Sequence, residues 1–151
     1  RLVGSEMCIR DRLATLALGG EITRDPSGFE MGSPTISLTN AAKEDLLFRD
    51  TNNNFPAISV HMERASKLPK NCELLAYTAA CPHAFKVKNK PFWAFQFHPE
   101  VDKATLIKRL TIYKAKYTSD ESHLNKVLET VTETPESNQL LRKFVERVLV
   151  N

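Results

Sequence analysis

A histidine and a glutamate two residues apart, at the end of an apolar run, form the best-placed acid–base pair in this 151-residue sequence: Gln96-Phe97-His98-Pro99-Glu100. Extended backbone directs residues i and i+2 to the same side. Pro99 restricts His98 to extended conformations and fixes its own φ, which holds the pair in one geometry. A carboxylate beside an imidazole orients and charges the ring, and a ring held in this way takes a proton from a Cys or Ser nucleophile. The carboxyl ends of strands in α/β sheets are where such side chains leave a rigid core for a crevice. The plainer alternative is a satisfied strand-end histidine followed by a solvated carboxylate at a helix start.

The remaining reactive side chains add little on spacing alone. Three cysteines, Cys8, Cys72 and Cys81, form no CxxC pair, so neither a disulfide framework nor a thiolate zinc site is expected and reduced thiols fit best. Among His61, His83, His98, Cys72 and Cys81 no pair has helix or knuckle ligand spacing, so no metal centre and no cofactor are expected. Trp93, Phe95 and Phe97 alternate on a strand and read as core. The net charge of +3 is scattered, without the clustered stripe of a nucleic-acid surface. No apolar run approaches the roughly 20 residues of a membrane span, and the expected setting is cytoplasmic.

The elements that position these residues follow from pattern. Leu13 to Leu18 reads as the end of a buried helix stopped by Gly19-Gly20. Glu21 to Met31 is a turn-bearing stretch, Thr35 to Leu38 a short strand, and about Asn40 to Phe48 a helix with Ala41, Leu46 and Phe48 on one face. After a solvated loop from Thr51 to Phe55, strands are expected at Pro56 to Met62, Glu73 to Thr78, Ala84 to Val87 and Phe92 to Phe97. Their tight connections predict a partly antiparallel or mixed sheet. Beyond Val101 three amphipathic helices are expected, carrying Leu106, Ile107, Leu110 and Tyr113, then Leu124, Val127, Leu128 and Val131, then Leu140, Leu141, Phe144, Val145, Val148 and Leu149. Thr118 with Glu121 starts the second, and Thr134-Pro135 caps the third.

Taken together, several of these segments resemble class I glutamine amidotransferases, in the branch that includes GMP synthase. Gln96 to Glu100 is similar to that family's His-x-Glu signature. Leu18-Gly19-Gly20-Glu21-Ile22 resembles its post-elbow glycine pair, and Glu30-Met31-Gly32 with Ile36 to Thr39 its following strand. His61-Met62-Glu63, Leu68-Pro69 and Leu75-Ala76 resemble the His-x-Asp, Leu-Pro and Leu-Ala stretch, with Glu63 departing from the usual Asp. Cys81-Pro82-His83-Ala84-Phe85 resembles Cys-x-x-Gln-Ala-Phe, with His83 departing from Gln. The resemblance runs from Leu13 to about Leu110.

It implies a flavodoxin-like α/β fold with a mixed sheet, incomplete at its amino end and followed by trailing helices. It also implies a Cys-His-Glu triad that hydrolyses the side-chain amide of glutamine, with His98 as base and Glu100 orienting it. Val60 and His61 would then line the glutamine pocket through backbone groups. The nucleophile position falls on or beside Cys8, yet Glu6 to Arg12 replaces the family's Gly-x-Cys-x-Gly-x-Gln. Ile9 and Arg10 do not readily take the positive φ of a strained elbow, and Arg12 stands where the glutamine-contacting Gln would be. Met7 to Arg12 moreover resembles the translation of a sequencing adapter. The expected organisation is a foreign leader at 1–12, a partial amidotransferase-like domain at 13–111 and a helical extension at 112–151, inactive as it stands. Three functions compete: an amidotransferase passing ammonia to a partner synthase, a γ-glutamyl peptidase of the same fold, and a degenerate non-catalytic domain.

Overall fold

The computed structural model describes residues 9–24, 30–112 and 121–150. Helix α1 (Ile9–Ala17) ends where the sequence places its stop. Gly19 adopts φ +85°, its N–H donates to Leu16 O, and the Gly20 N–H reaches back to Thr15 O at 2.8 Å, the paired bonds of a Schellman C-cap. The face it buries is not the expected one. Leu13 and Leu16 are 60% and 55% exposed, whereas Asp11 and Thr15 are buried, so the helix turns its polar residues inward.

Among the described residues nine short strands follow: β1 (Glu21–Arg24), β2 (Glu30–Gly32), β3 (Thr35–Leu38), β4 (Asn54–Pro56), β5 (Ser59–His61), β6 (Glu63–Lys67), β7 (Cys72–Tyr77), β8 (Pro82–Val87) and β9 (Trp93–Phe95). Five of them form a sheet in the order β4-β3-β7-β8-β9, and β1-β6 and β2-β5 make two-stranded pairs. Every pairing among the described residues is antiparallel, as the tight connections require.

Three local expectations change. The helix about Asn40 to Phe48 is only one 3-10 turn, Ala41–Lys43, followed by turns that bury Leu47 and Phe48 and leave Leu46 exposed. The Asp45 carboxylate explains the interruption: it accepts from the Leu47 N–H at 2.9 Å, an Asx turn that competes with helix. The run Pro56 to Met62 divides at Ala57-Ile58 into β4 and β5, which serve different sheets. Phe55, placed in a solvated loop by its Asn neighbours, lies in β4 and is buried.

Among the described residues, helices α2 (Lys103–Ile112), α3 (Glu121–Thr130) and α4 (Pro135–Phe144) come next, and α4 runs on into a π-helical segment at Val145–Leu149. Leu106, Leu110, Leu124, Val127 and Val131 bury against Met31, Ile58 and Val60, so α2 and α3 cover the β2-β5 pair. Leu140 enters the other core cluster with Ile36, Phe55, Leu75 and Phe97. Leu141, Val145 and Leu149 stay exposed. Thr134 makes no side-chain cap, its hydroxyl donating instead to Asn138 Oδ1 at 3.0 Å. Cys8, Tyr113 and Thr118 lie outside the described residues. Among the described residues no helix is long and apolar enough to cross a membrane.

Candidate active site

His98 follows β9 with its side chain only 2% exposed, while Glu100 is 36% exposed. The His98 Nδ1–H donates to Glu100 Oε1 at 3.0 Å, the contact that the i, i+2 spacing across Pro99 predicts. Backbone bonds hold the segment in place. The His98 N–H donates to Ile58 O at 2.7 Å, tying it to the approach of β5, and the Val101 N–H returns to His98 O. From α4, the Asn138 side-chain amide donates to both Pro99 O and Val101 O at 3.0 Å. Asn138 carries no sequence signal beyond its place in an amphipathic helix, and sequence reasoning missed it.

A cavity of about 330 Å³ opens beside the pair, walled by Trp93, Phe95, Phe97 and Phe144 together with His98 and Glu100. Trp93, Phe95 and Phe97 thus serve both as packing against the core and as lining. Asp11 reaches the same cavity from α1. Burial pushes its carboxyl up to about 6, against the opposing pull of Arg12, and its Oδ1 has no hydrogen-bond partner among the described residues. Arg12, next on the helix, forms an ion pair with Glu63 at the start of β6. Cys8, the candidate nucleophile, lies outside the described residues.

Val60 and His61 are buried on β5, opposite Met31 and Glu30 of β2. His61 Nε2 lies 3.2 Å from Glu30 Oε1, and His83 Nε2 lies 3.7 Å from the same oxygen. Cys81 Sγ is 3.5 Å from His83 Nε2. Burial lowers the His83 imidazole to about 4, so it is neutral at pH 7. Burial also pushes the Glu30 carboxyl up, but the hydrogen bond from His61 and the flanking rings outweigh it and hold the group below its usual range. Sequence reasoning found no ligand spacing here; Cys81 and His83 nevertheless stand two apart on an extended segment, which turns both side chains to one face.

Comparison with known proteins places this geometry in context. The family model for glutamine amidotransferase class-I matches residues 7–112. The glutamine-hydrolyzing GMP synthase subunit of Methanocaldococcus jannaschii is 34% identical over 96 residues, covering 63% of this chain and 49% of the relative. The glutamine-hydrolyzing GMP synthase of Clostridium botulinum is 32% identical over 105 residues, covering 69% of this chain and 20% of the relative. The chain therefore spans about half the length of the archaeal relative and a fifth of the clostridial one. Among solved structures, a glutamine amidotransferase from Thermotoga maritima superposes with a TM-score of 0.75 at 21% identity, covering 95% of this chain and 61% of its own. A glutamine amidotransferase from Methylobacillus flagellatus gives 0.66 at 19% identity, covering 91% and 57%. With a family match over more than two thirds of its residues, an α/β fold shared with such structures and relatives at 32–34% identity in the GMP-synthase branch, the chain belongs to the class I glutamine amidotransferase family.

Proposed function

We propose that the domain's reaction is hydrolysis of the glutamine side-chain amide to glutamate and ammonia by a Cys-His-Glu triad. The observation that carries this reading is the 3.0 Å contact between buried His98 and Glu100 at the mouth of a cavity. A thiolate at the elbow position, on or beside Cys8, attacks the amide carbon. His98 delivers a proton to the departing nitrogen as the C–N bond breaks, and a thioester remains. His98 then takes a proton from the water that attacks the thioester, and glutamate leaves as the thiol is restored. Glu100 holds the Nδ1–H tautomer and stabilises the imidazolium. Backbone groups of Val60 and His61 hold the substrate glutamine.

The names of the archaeal and clostridial relatives support a synthase that uses the released ammonia as the partner, and the setting in this reading is cytoplasmic. No resident cofactor is required for the steps above. The domain organisation belongs to the same proposal: a foreign leader at 1–12, the amidotransferase-like domain at 13–111 and helices at 112–151. With Glu6, Arg10 and Arg12 at the elbow positions, the chain as it stands does not turn over glutamine.

The test is release of ammonia from glutamine, with γ-glutamyl dipeptides as the comparison substrate. The parent chain is expected to be silent. The variant Glu6→Gly, Arg10→Gly, Arg12→Gln is expected to release ammonia and to lose that activity again on His98→Ala. A folded elbow-restored variant that neither turns over nor is labelled by an electrophilic glutamine analogue overturns the triad reading. Sequencing the transcript across the codons for Arg1 to Leu18 tests the leader: a read that keeps Met7 to Arg12 overturns it.

A further inference from the structure

Cys81, His83, His61 and Glu30 come from three separate segments of chain and meet beneath Phe97, on whose ring His83 stacks. One ligand atom from each of His61, Cys81 and His83 lies within 4.8 Å of the others, and all three residues are buried. The separations involving these groups and Glu30 are 3.5 Å for Cys81 Sγ to His83 Nε2, 3.2 Å for His61 Nε2 to Glu30 Oε1, and 3.7 Å for His83 Nε2 to that same oxygen. In a tetrahedral zinc site, bonds of about 2.0–2.1 Å to N and O and about 2.3 Å to S put neighbouring ligand atoms about 3.3–3.6 Å apart. These three edges fall on or next to that range.

We propose that Cys81, His61, His83 and Glu30 bind one divalent ion of the zinc class. Soft thiolate and imidazole ligands select zinc or cobalt over magnesium and calcium; His61, Cys81 and His83 supply three corners, and Glu30, close to both rings, is the fourth donor. Charge supports the same assignment. One thiolate, one carboxylate and two neutral imidazoles around a dication sum to zero, which suits a buried site, whereas an unpaired buried ion would be costly. Glu30 is 23% exposed along its side chain and supplies the route by which an ion enters. The Nδ1 atoms of His61 and His83 have no hydrogen-bond partner among the described residues, so Nε2 is the ligating nitrogen in both rings and the usual outer-shell support is thin. The site is independent of the glutamine reaction proposed above, in which His61 acts only through its backbone.

The experiment uses the full 151-residue chain with Cys8→Ser and Cys72→Ser, which leaves Cys81 as the sole thiol. Cobalt(II) is added to micromolar protein and the electronic spectrum recorded. A thiolate-to-cobalt charge-transfer band with intense tetrahedral d–d absorption is the expected result, and zinc should displace it at one equivalent. X-ray absorption on the zinc-loaded protein should show one sulfur and three N/O neighbours, a readout that needs no ligand variant to fold. His83→Gln and Glu30→Gln should each weaken binding at least tenfold. Absence of the charge-transfer band, or a zinc shell without sulfur, overturns the proposal and leaves Cys81 and His83 as a thiol–imidazole hydrogen bond only.

Discussion

Arg12 and Glu63 pair with each other across α1 and β6. Arg12 is largely covered, while Glu63 is half exposed, so water screens the pair. Replacing Arg12→Gln should therefore change unfolding free energy by less than about 1 kcal/mol, because a half-exposed ion pair contributes about that much at most. Urea denaturation of the single variant checks this. A larger loss would show that Arg12 is held by more than its charge and that the elbow-restored chain needs a compensating change at Glu63.

The His98–Glu100 contact fixes a proton as well as a ring. Because the carboxylate accepts from Nδ1, neutral His98 should carry its hydrogen on Nδ1. Nitrogen-15 correlation spectra of the imidazole should report that tautomer in the parent chain and a shift toward Nε2–H in Glu100→Ala. An unchanged tautomer in the variant would show that Glu100 does not set the proton's position.

Sequence alone was sufficient where one local rule dominated. Thr35 to Leu38, Gly19 and the His98–Glu100 spacing all behave as their types dictate. It was insufficient where tertiary contacts overrode local pattern. Leu13 and Leu16 mark a helix as apolar, yet the cavity beside His98 takes the opposite face with Asp11. The β-branched run through Ser59 conceals a change of sheet at Ala57-Ile58, since hydropathy carries no information about which neighbour a strand finds. Glu30 and His61 are 31 residues apart and become neighbours through the antiparallel pairing of β2 with β5, and the fold then brings the Cys81–His83 segment against them.

Gly20 should tolerate a side chain less well than Gly19, although only Gly19 has positive φ. A Cβ at Gly20 would stand 2.6 Å from Lys67 O and 2.6 Å from Thr15 Cγ2, whereas Gly19 has open space. Gly19→Ala should cost about 1–2 kcal/mol for its left-handed backbone. Gly20→Ala should cost about 1–3 kcal/mol by forcing α1 away from β6. Thermal unfolding of the two variants, with hydrogen exchange in α1 to locate the disturbance, decides the order.

Asn138 acts on the site at a distance from the chemistry. Its amide N–H groups hold the carbonyls on either side of Glu100, so Asn138→Asp, which keeps the shape and removes the donors, should free the Pro99–Val101 segment. The expected cost is about 1–3 kcal/mol, since two buried acceptors lose their partner. Faster exchange of the Val101 amide, together with loss of the His98 Nδ1–H signature, would distinguish positioning from a general loss of stability.

Asp11 gives the chain a pH dependence whose sign can be worked out. Its carboxyl titrates at about 6 when folded, against 3.8 in the unfolded chain, because burial disfavours the charge. Between those values the folded protein holds a proton that the unfolded chain has lost, so this group's contribution to stability falls as pH rises from about 4 to about 6 and stays reduced above it. The difference corresponds to roughly 3 kcal/mol at most. Asp11→Asn removes the titration while keeping the side chain's shape. Its gain over the parent in urea denaturation should therefore be on the order of 2–3 kcal/mol larger at pH 7.5 than at pH 4. An equal gain at both pH values would mean that the carboxyl is hydrated when folded, and that the inward polar face of α1 is stabilised by water rather than by the protonated acid.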